Sequence, residues 1–265
     1  MLDEDGISGA FILTLDQMEF DKEKAFQYFY EMGLKEFPKP DRGNKYSGKL
    51  IFSQLLPKDL NLHYKSKMCE TLERTDPNYK CKGEKCPYCV TIKNGMLING
   101  VIDKNSLGEG RGKLVDALAR NYPPEVIRNF YDKMSRIYAD IITTKGMTVG
   151  LREFEISEGI KKAIDSAIKE CLRKGEQLVK QYREKTLQLV PGRNLEESFE
   201  IYMMRLASQI KQKVEALILS EKVKTVLREN PEYNSNVMIV SGSRGSSANL
   251  MNISGFWGQA SVREG

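Results

Sequence analysis

The sequence predicts an α+β protein, in which a β-rich amino-terminal module precedes a helical module with a long antiparallel hairpin. Three observations carry this prediction. Short apolar runs broken by turn dipeptides fill roughly the first two-fifths of the 265-residue chain. Two long apolar stripes at helical spacing follow, on either side of the turn sequence PGRN (Pro191–Asn194). The composition, 40% hydrophobic and 29% charged, is that of a globular chain and not of a disordered one.

The elements are justified in order. GAFILTL (Gly9–Leu15) is a short apolar run of strand type. Asp21–Gly33 opens on an Asp cap and closes on a glycine, which predicts a helix. KEFPKPDRGN is a loop, set by two prolines and a glycine. Ser47–Pro57 predicts a short helix stopped by Pro57. Asn61–Lys67 and Thr91–Gly108 alternate as strands do, and Asn94-Gly95 and Asn99-Gly100 supply the turns. Arg111–Tyr122 and Pro123–Gly146 read as helices, the second with prolines at its start and a glycine at its end.

The strongest periodicity comes next. Ile160, Ile164, Ala167, Cys171, Leu178 and Tyr182 recur at spacings of three, four and seven. After PGRN the stripe resumes through Leu195, Phe199, Tyr202, Leu206, Ile210, Val214 and Leu217. Asn194 caps the second helix, with Glu197 as its capping-box partner. Two helices joined by a tight turn form an antiparallel hairpin, with arms of about 30 residues and a length of roughly 45 Å. The stripe is thin and the other faces are charged, as in a protruding arm or a plain coiled coil. Beyond it, Val237–Val240 is β-like and leads into the small-residue run VSGSRGSSANL (Val240–Leu250).

Lys and Arg number 41 against 36 Asp and Glu, a net charge of +5. This mild basicity permits a nucleic-acid or nucleotide partner without demanding one. No run approaches the roughly 20 apolar residues of a membrane helix. The first residues carry acids where a signal peptide carries Lys or Arg. Five cysteines, an odd number unevenly spaced, argue against a disulfide framework and for a reducing, cytoplasmic setting.

Four of those cysteines, Cys69, Cys81, Cys86 and Cys89, share a polar, Lys-rich segment. A C-x2-C step with two further thiols nearby suits tetrahedral Zn²⁺, and neighbouring lysines ease deprotonation. The alternatives are free surface thiols, or a dithiol redox motif in CPYC, which would need a helix N-terminus after a strand. Cys171 lies on the apolar stripe as a core residue. His63, the single histidine, is a structural residue or a further metal ligand, and one histidine leaves little material for Ser/His/Asp chemistry. There is no Walker phosphate loop. Arg244 sits among small residues that allow close backbone approach, either to bind phosphate in a nest of N–H groups or as a solvated charge on a turn.

Five segments, in order, resemble one family: the largest subunit of multisubunit DNA-dependent RNA polymerases, in its archaeal A-prime form. Asp5–Thr14 resembles the strand after the family's catalytic centre. YSGKLIFSQLLPKDLNL (Tyr46–Leu62) is similar to its W-T-G-K-Q-I-F-S and L-P-K-G-L-N-L stretch. LINGVIDKNSLG (Leu97–Gly108) matches its G-V-I-D-K signature. Pro191–Glu200 resembles the tip of its funnel helices, and Met238–Gly265 the run towards its bridge helix.

The resemblance implies a pore domain over residues 1–107 and a funnel domain over 108–230, with its hairpin at about 157–229. Residues 231–265 would open the following cleft domain. Pore and funnel would line a secondary channel for NTP entry and for extrusion of a backtracked RNA 3′ end, and would receive a transcript-cleavage factor. Other polymerase subunits and the DNA template would be partners in the assembly. Arg244, with Gly245 and Ser246 in the family's S-G-x-[RK]-G-S run, would face NTP phosphate. Gln259 belongs to the family's G-Q-Q element, and Asn252 lies upstream of it.

The chain departs from the pattern at Ala260, where a second glutamine is usual, at Trp257, and at Tyr46, where Trp is common. It lacks the N-A-D-F-D-G-D loop that holds the catalytic Mg²⁺, so the isolated chain is not expected to polymerise. The alternative is a stand-alone zinc-containing helical-hairpin module that binds nucleic acid or a polymerase.

Overall fold

The computed structural model describes residues 3–110, 112–228 and 233–257. The chain divides into two compact units, one of Met1–Glu153 with Lys222–Ser246, the other of Phe154–Glu221 with Ser247–Gly265. The α+β class holds, with the balance towards helix: among the described residues the strands are short and form two small antiparallel sheets.

The first unit is built around α1 (Asp5–Thr14), which packs against α7 (Pro124–Lys145), α10 (Asn234–Ser241) and α3 (Gly48–Ser53). Residues Gly6 to Thr14 are all buried. The strand expected over Gly9–Leu15 is therefore a helix. A helix buried on every side has no polar face, so its sequence shows a continuous apolar run that periodicity cannot tell from a buried strand. Gly9 lets α7 come close, since a β-carbon there would lie 2.5 Å from Tyr138 Cβ.

β1 (Glu19–Phe20) pairs with β2 (Tyr46–Ser47), and between them lies α2 (Lys22–Glu31), started at Asp21 and ended near Gly33 at φ 72°. Ser47 caps α3 by accepting from the Leu50 N–H at 3.1 Å. The second sheet runs β3 (Leu62–Tyr64), β4 (Val90–Lys93), β5 (Met96–Asn99), all antiparallel. The β4–β5 turn has Asn94 at φ 49° and Gly95 at φ 71°, the paired positive dihedrals that make Asn-Gly a tight hairpin turn. α4 (Lys67–Thr75) is inserted between β3 and β4.

The strand expected to continue to Gly108 stops at Asn99. Asp103 instead starts α5 (Lys104–Leu107) with a capping box, because a buried carboxylate there satisfies backbone N–H groups a strand would leave unpaired. α6 (Lys113–Asn121) and α7 follow as the sequence predicts. The β-like Val237–Val240 lies inside α10, closed by Gly242 in the left-handed region at φ 79°. Burial of Val237 and Val240 in the core outweighs their strand propensity.

In the second unit, α8 (Glu158–Arg183) is 26 residues, about 39 Å at 1.5 Å per residue. α9 (Leu195–Arg228) returns beside it. The Ser157 N–H donates to Glu221 Oε1, Lys213 pairs with Glu170 at 3.6 Å, and the Tyr182 and Phe199 rings lie 4.6 Å apart. These contacts join early α8 to late α9 and late α8 to early α9, so the hairpin is antiparallel. Asn194 and Glu197 form the expected reciprocal cap, with bonds of 2.8 and 3.2 Å. Ile164, Ala167, Leu206, Ile210 and Val214 are buried along the seam, whereas Cys171 is only half-buried at its edge. α11 (Ser247–Ser254) completes the unit.

Substitution Gly9→Ala is expected to force α1 and α7 apart and to cost ~1–3 kcal/mol through overpacking. The midpoint of denaturant unfolding checks this, with the exposed Gly159→Ala as a control.

Candidate functional site

Ser66 stands at the start of α4, and its Oγ accepts from the Cys69 N–H at 3.0 Å, which fixes the first turn that carries Cys69. The same hydroxyl donates to the Tyr88 carbonyl at 2.6 Å, tying the helix to the Cys86–Cys89 loop. That loop is preceded by a single 3-10 turn at Gly83–Lys85, and the Cys86 N–H donates to the Gly83 carbonyl at 2.9 Å. Cys89 leads directly into β4. Upstream, the Cys81 N–H donates to Glu73, which is itself paired with Lys65 at 2.7 Å.

These elements bring Cys69, Cys81, Cys86 and Cys89 together, their sulfurs all within 4.8 Å of one another. The Sγ–Sγ separations are 3.8 Å for Cys69–Cys86, 3.6 Å for Cys69–Cys89 and 3.4 Å for Cys81–Cys89. Four thiolates bound tetrahedrally at about 2.3 Å would place their sulfurs about 3.8 Å apart, so the spacing fits such a centre. Cys69, Cys86 and Cys89 are buried, and Tyr79 and Tyr88 pack over the cluster.

The protonation chemistry agrees with a cation site. Burial pushes the Cys69 thiol up to about 12 and raises Cys89 as well. Burial also opposes ionisation of Cys86, but the Tyr79 hydroxyl, 2.8 Å from its sulfur, and the Tyr88 and Cys89 N–H groups hold it at about 7. Cys69 and Cys89 are therefore disposed to stay neutral while Cys86 ionises more readily, and a dication that replaces the protons of the buried pair supplies the missing compensation. The dithiol alternative lacks its setting: Cys86 and Cys89 precede a strand, and two more sulfurs complete their cluster. His63 is not a ligand. It is exposed on β3, its Nδ1 3.0 Å from Thr91 Oγ1 across the strand pair.

Asp103 is fully buried beside this assembly. It accepts from the Met68 N–H of α4 at 3.3 Å and the Asn105 N–H of α5 at 3.0 Å. Sequence reasoning passed over Asp103, Ser66 and Tyr79. A serine three residues before Cys69 is a legible cap signal, but nothing in the sequence shows that Tyr79 turns onto the sulfurs.

Arg244, Gly245 and Ser246 lie together on an exposed turn after α10. Arg244 forms an ion pair with Glu4. The turn needs two left-handed glycines, Gly242 at φ 79° and Gly245 at φ 76°, and Ser243 is anchored from below by the Ser8 hydroxyl at 2.7 Å. Asn252 is half-buried on α11, and Gln259 lies outside the described residues.

Two outcomes test this site. The metal-loaded chain should present one reactive thiol, Cys171, to a thiol reagent, and five after chelation in denaturant; Cys69→Ser should abolish that protection. Burial also drives the Asp103 carboxyl up to about 7, against the N–H groups of Met68, Asn105 and Lys67. The folded state thus holds this proton more tightly than the unfolded chain. Its stabilising effect is full below about pH 4 and is lost as the pH rises through about 7. Asp103→Asn should flatten that decline in unfolding midpoints measured from about pH 4 to pH 8.

Two family profiles cover most of the chain. The family profile for RNA polymerase Rpb1, domain 3, matches residues 2–154, and that for RNA polymerase Rpb1, domain 4, matches residues 179–265. Among curated proteins, DNA-directed RNA polymerase subunit Rpo1N of Methanothermobacter thermautotrophicus strain Delta H is 33% identical over 264 residues, covering 98% of this chain and 29% of the relative. Rpo1N of Methanocaldococcus jannaschii is 34% identical over 266 residues, covering 98% of this chain and 19% of the relative. Rpo1N of Thermococcus celer is 29% identical over 281 residues, covering 98% and 30%. The chain thus spans less than a third of the length of these relatives. Matched over nearly all of its own length, the chain belongs to the family of the largest subunit of multisubunit RNA polymerases.

Proposed function

We propose that this chain is the part of a DNA-directed RNA polymerase largest subunit that walls the secondary channel, where NTP enters and a backtracked RNA 3′ end leaves. The observation that carries this reading is the similarity to Rpo1N over 98% of the chain, which spans the S-G-S-R-G run and the hairpin alike. In this reading residues 1–107 form the pore, 108–230 the funnel and 231–265 the start of the cleft domain. The assembled enzyme is a cytoplasmic nucleotidyltransferase acting on a DNA template. Its catalytic Mg²⁺ is held by carboxylates in another part of the enzyme, and a cleavage factor docks on the funnel.

Arg244, Gly245, Ser246 and Gln259 serve the incoming nucleotide. A guanidinium binds phosphate oxygens through paired N–H groups, and glycine and serine neighbours leave room for a triphosphate. The partner Arg244 has here, Glu4, is a surface carboxylate with 48% of its side chain exposed. Exposed ion pairs contribute at most about 1 kcal/mol, so a triphosphate displaces this one at little cost.

The four-cysteine cluster takes Zn²⁺. Its ligand set is all sulfur, which suits zinc and excludes the hard cations Mg²⁺ and Ca²⁺. The zinc has a structural role: with four protein ligands it leaves no open position for water or substrate.

In assembled polymerase, Arg244→Ala should raise the KM for NTP about tenfold while kcat changes little, and Arg244→Lys should recover part of the loss. An unchanged KM rejects the phosphate role. Elemental analysis should return one zinc per chain at this cluster.

A further inference from the structure

The residue between the cysteine cluster and the Arg244 turn is Lys67. It opens α4, two positions before Cys69. Its side chain leaves the cluster and crosses to the carboxyl end of α10, where Nζ lies 3.5 Å from the Ile239 carbonyl oxygen. It also lies directly over Gly242. A β-carbon at residue 242 would fall on the lysine, within 2.7 Å of Cδ.

Two needs of a helix end meet here. The last carbonyls of a helix lack partners within the helix, and its carboxyl end carries partial negative charge. Around Met238 the need is met internally: its carbonyl accepts from the Gly242 N–H at 3.0 Å and the Ser241 and Ser243 hydroxyls at 3.2 and 3.3 Å, with the Arg244 N–H at 3.4 Å. At Ile239 the ammonium of Lys67 supplies positive charge from outside the helix. The turn that aims Arg244 is thus closed from one side by its own hydrogen bonds and from the other by α4.

The position of Lys67 depends in turn on the cluster. Three attachments hold the start of α4: the Met68 N–H on Asp103, the Ser66 hydroxyl on the Tyr88 carbonyl, and Cys69 itself. The last two run through the cysteine-bearing segment. Between α4 and β4 that segment has no regular structure beyond the single turn at Gly83–Lys85, so a metal shared by its sulfurs would add a strong restraint to the hydrogen bonds that hold it.

We propose that Lys67 is a positioning residue that couples the four-sulfur centre to the Arg244 turn: metal binding fixes α4, α4 holds Lys67 on the end of α10, and this sets the course of residues 242–246. The proposal rests on the phosphate reading of Arg244 only for its effect on nucleotide use. The coupling itself is a property of the fold.

The test uses assembled polymerase that contains this chain, with wild type, Lys67→Met, Lys67→Arg and Arg244→Ala compared before and after metal chelation. Backbone hydrogen exchange over residues 238–247 is the first readout and NTP KM the second. Chelation of the wild type should speed exchange at 242–246 about tenfold, with α7 unaffected. Lys67→Met should speed it similarly while metal is still bound, chelation should then add little, and Lys67→Arg should restore the wild-type rate. Where Lys67→Met does not assemble, Lys67→Gln serves, since it keeps the stem and a donor without the charge.

Exchange at 242–246 that ignores both chelation and the loss of Lys67 overturns the proposal. The two readings also separate. Faster exchange in Lys67→Met, with NTP KM unchanged in both that variant and Arg244→Ala, supports the coupling and removes the phosphate role. A raised KM in Arg244→Ala, with Lys67→Met normal in exchange and KM, overturns the coupling and leaves the phosphate role standing.

Discussion

The first unit depends on the complete burial of α1. Ile7, Ala10, Phe11, Ile12 and Leu13 have no exposed surface, and the helix touches α3, α7 and α10, elements that come from three distant parts of the sequence. Neither sheet is large enough to organise a core, so this helix does the work that a central strand does in larger α+β folds. Its polar groups are used for alignment. Thr14 accepts from the Ile102 N–H at 2.9 Å, and Ser8 donates to Ser243. The G-V-I-D segment and the Arg244 turn are therefore both referred to one rigid axis. A buried hydroxyl without its partner is costly, so each of these bonds restricts register as well as adding stability.

The parts of this fold that were legible in the sequence are those governed by local chemistry. Asn194 and Glu197 announce a capping box, Asn94-Gly95 a tight turn, and Pro123-Pro124 and Gly146 the two ends of α7. Each depends on residues within a few positions of one another. The misreadings have a common cause. The run Gly9–Leu15 is apolar on every side because it is buried on every side, and Val237–Val240 is a run of four apolar residues of which only Val237 and Val240 are buried. Amphipathic periodicity needs polar residues on a solvent face: the first segment has no such face, and the second carries apolar Met238 and Ile239 on its partly exposed side. Asp103 was hidden for the opposite reason. Its cap on α5 is local, but its burial and its bond from Met68, 35 positions away, are revealed by no local pattern.

The cysteine cluster lies between these cases. Composition and the C-x2-C step mark its four members, but the irregular spacing of Cys69 and Cys81 matches no standard ribbon. The fold explains that spacing. Cys69 comes from a helix, Cys86 and Cys89 from a loop entering a strand, and Cys81 from the link between them. A site assembled from a helix and a loop has no reason to show the symmetric pairs that two knuckles impose.

The chain leaves the first unit after Glu153 and re-enters it at Lys222, and those two residues meet: the Lys222 ammonium donates to the Glu153 carbonyl at 2.7 Å, both buried. Everything between them is thereby an excursion whose exit and entry share one doorway. Loop-closure entropy rises only slowly with the length of an excursion, and here its ends are already joined. Whole turns can thus be added to or removed from both arms without disturbing the threshold. The closure at Glu153 and Lys222 therefore leaves the length of the hairpin free to vary.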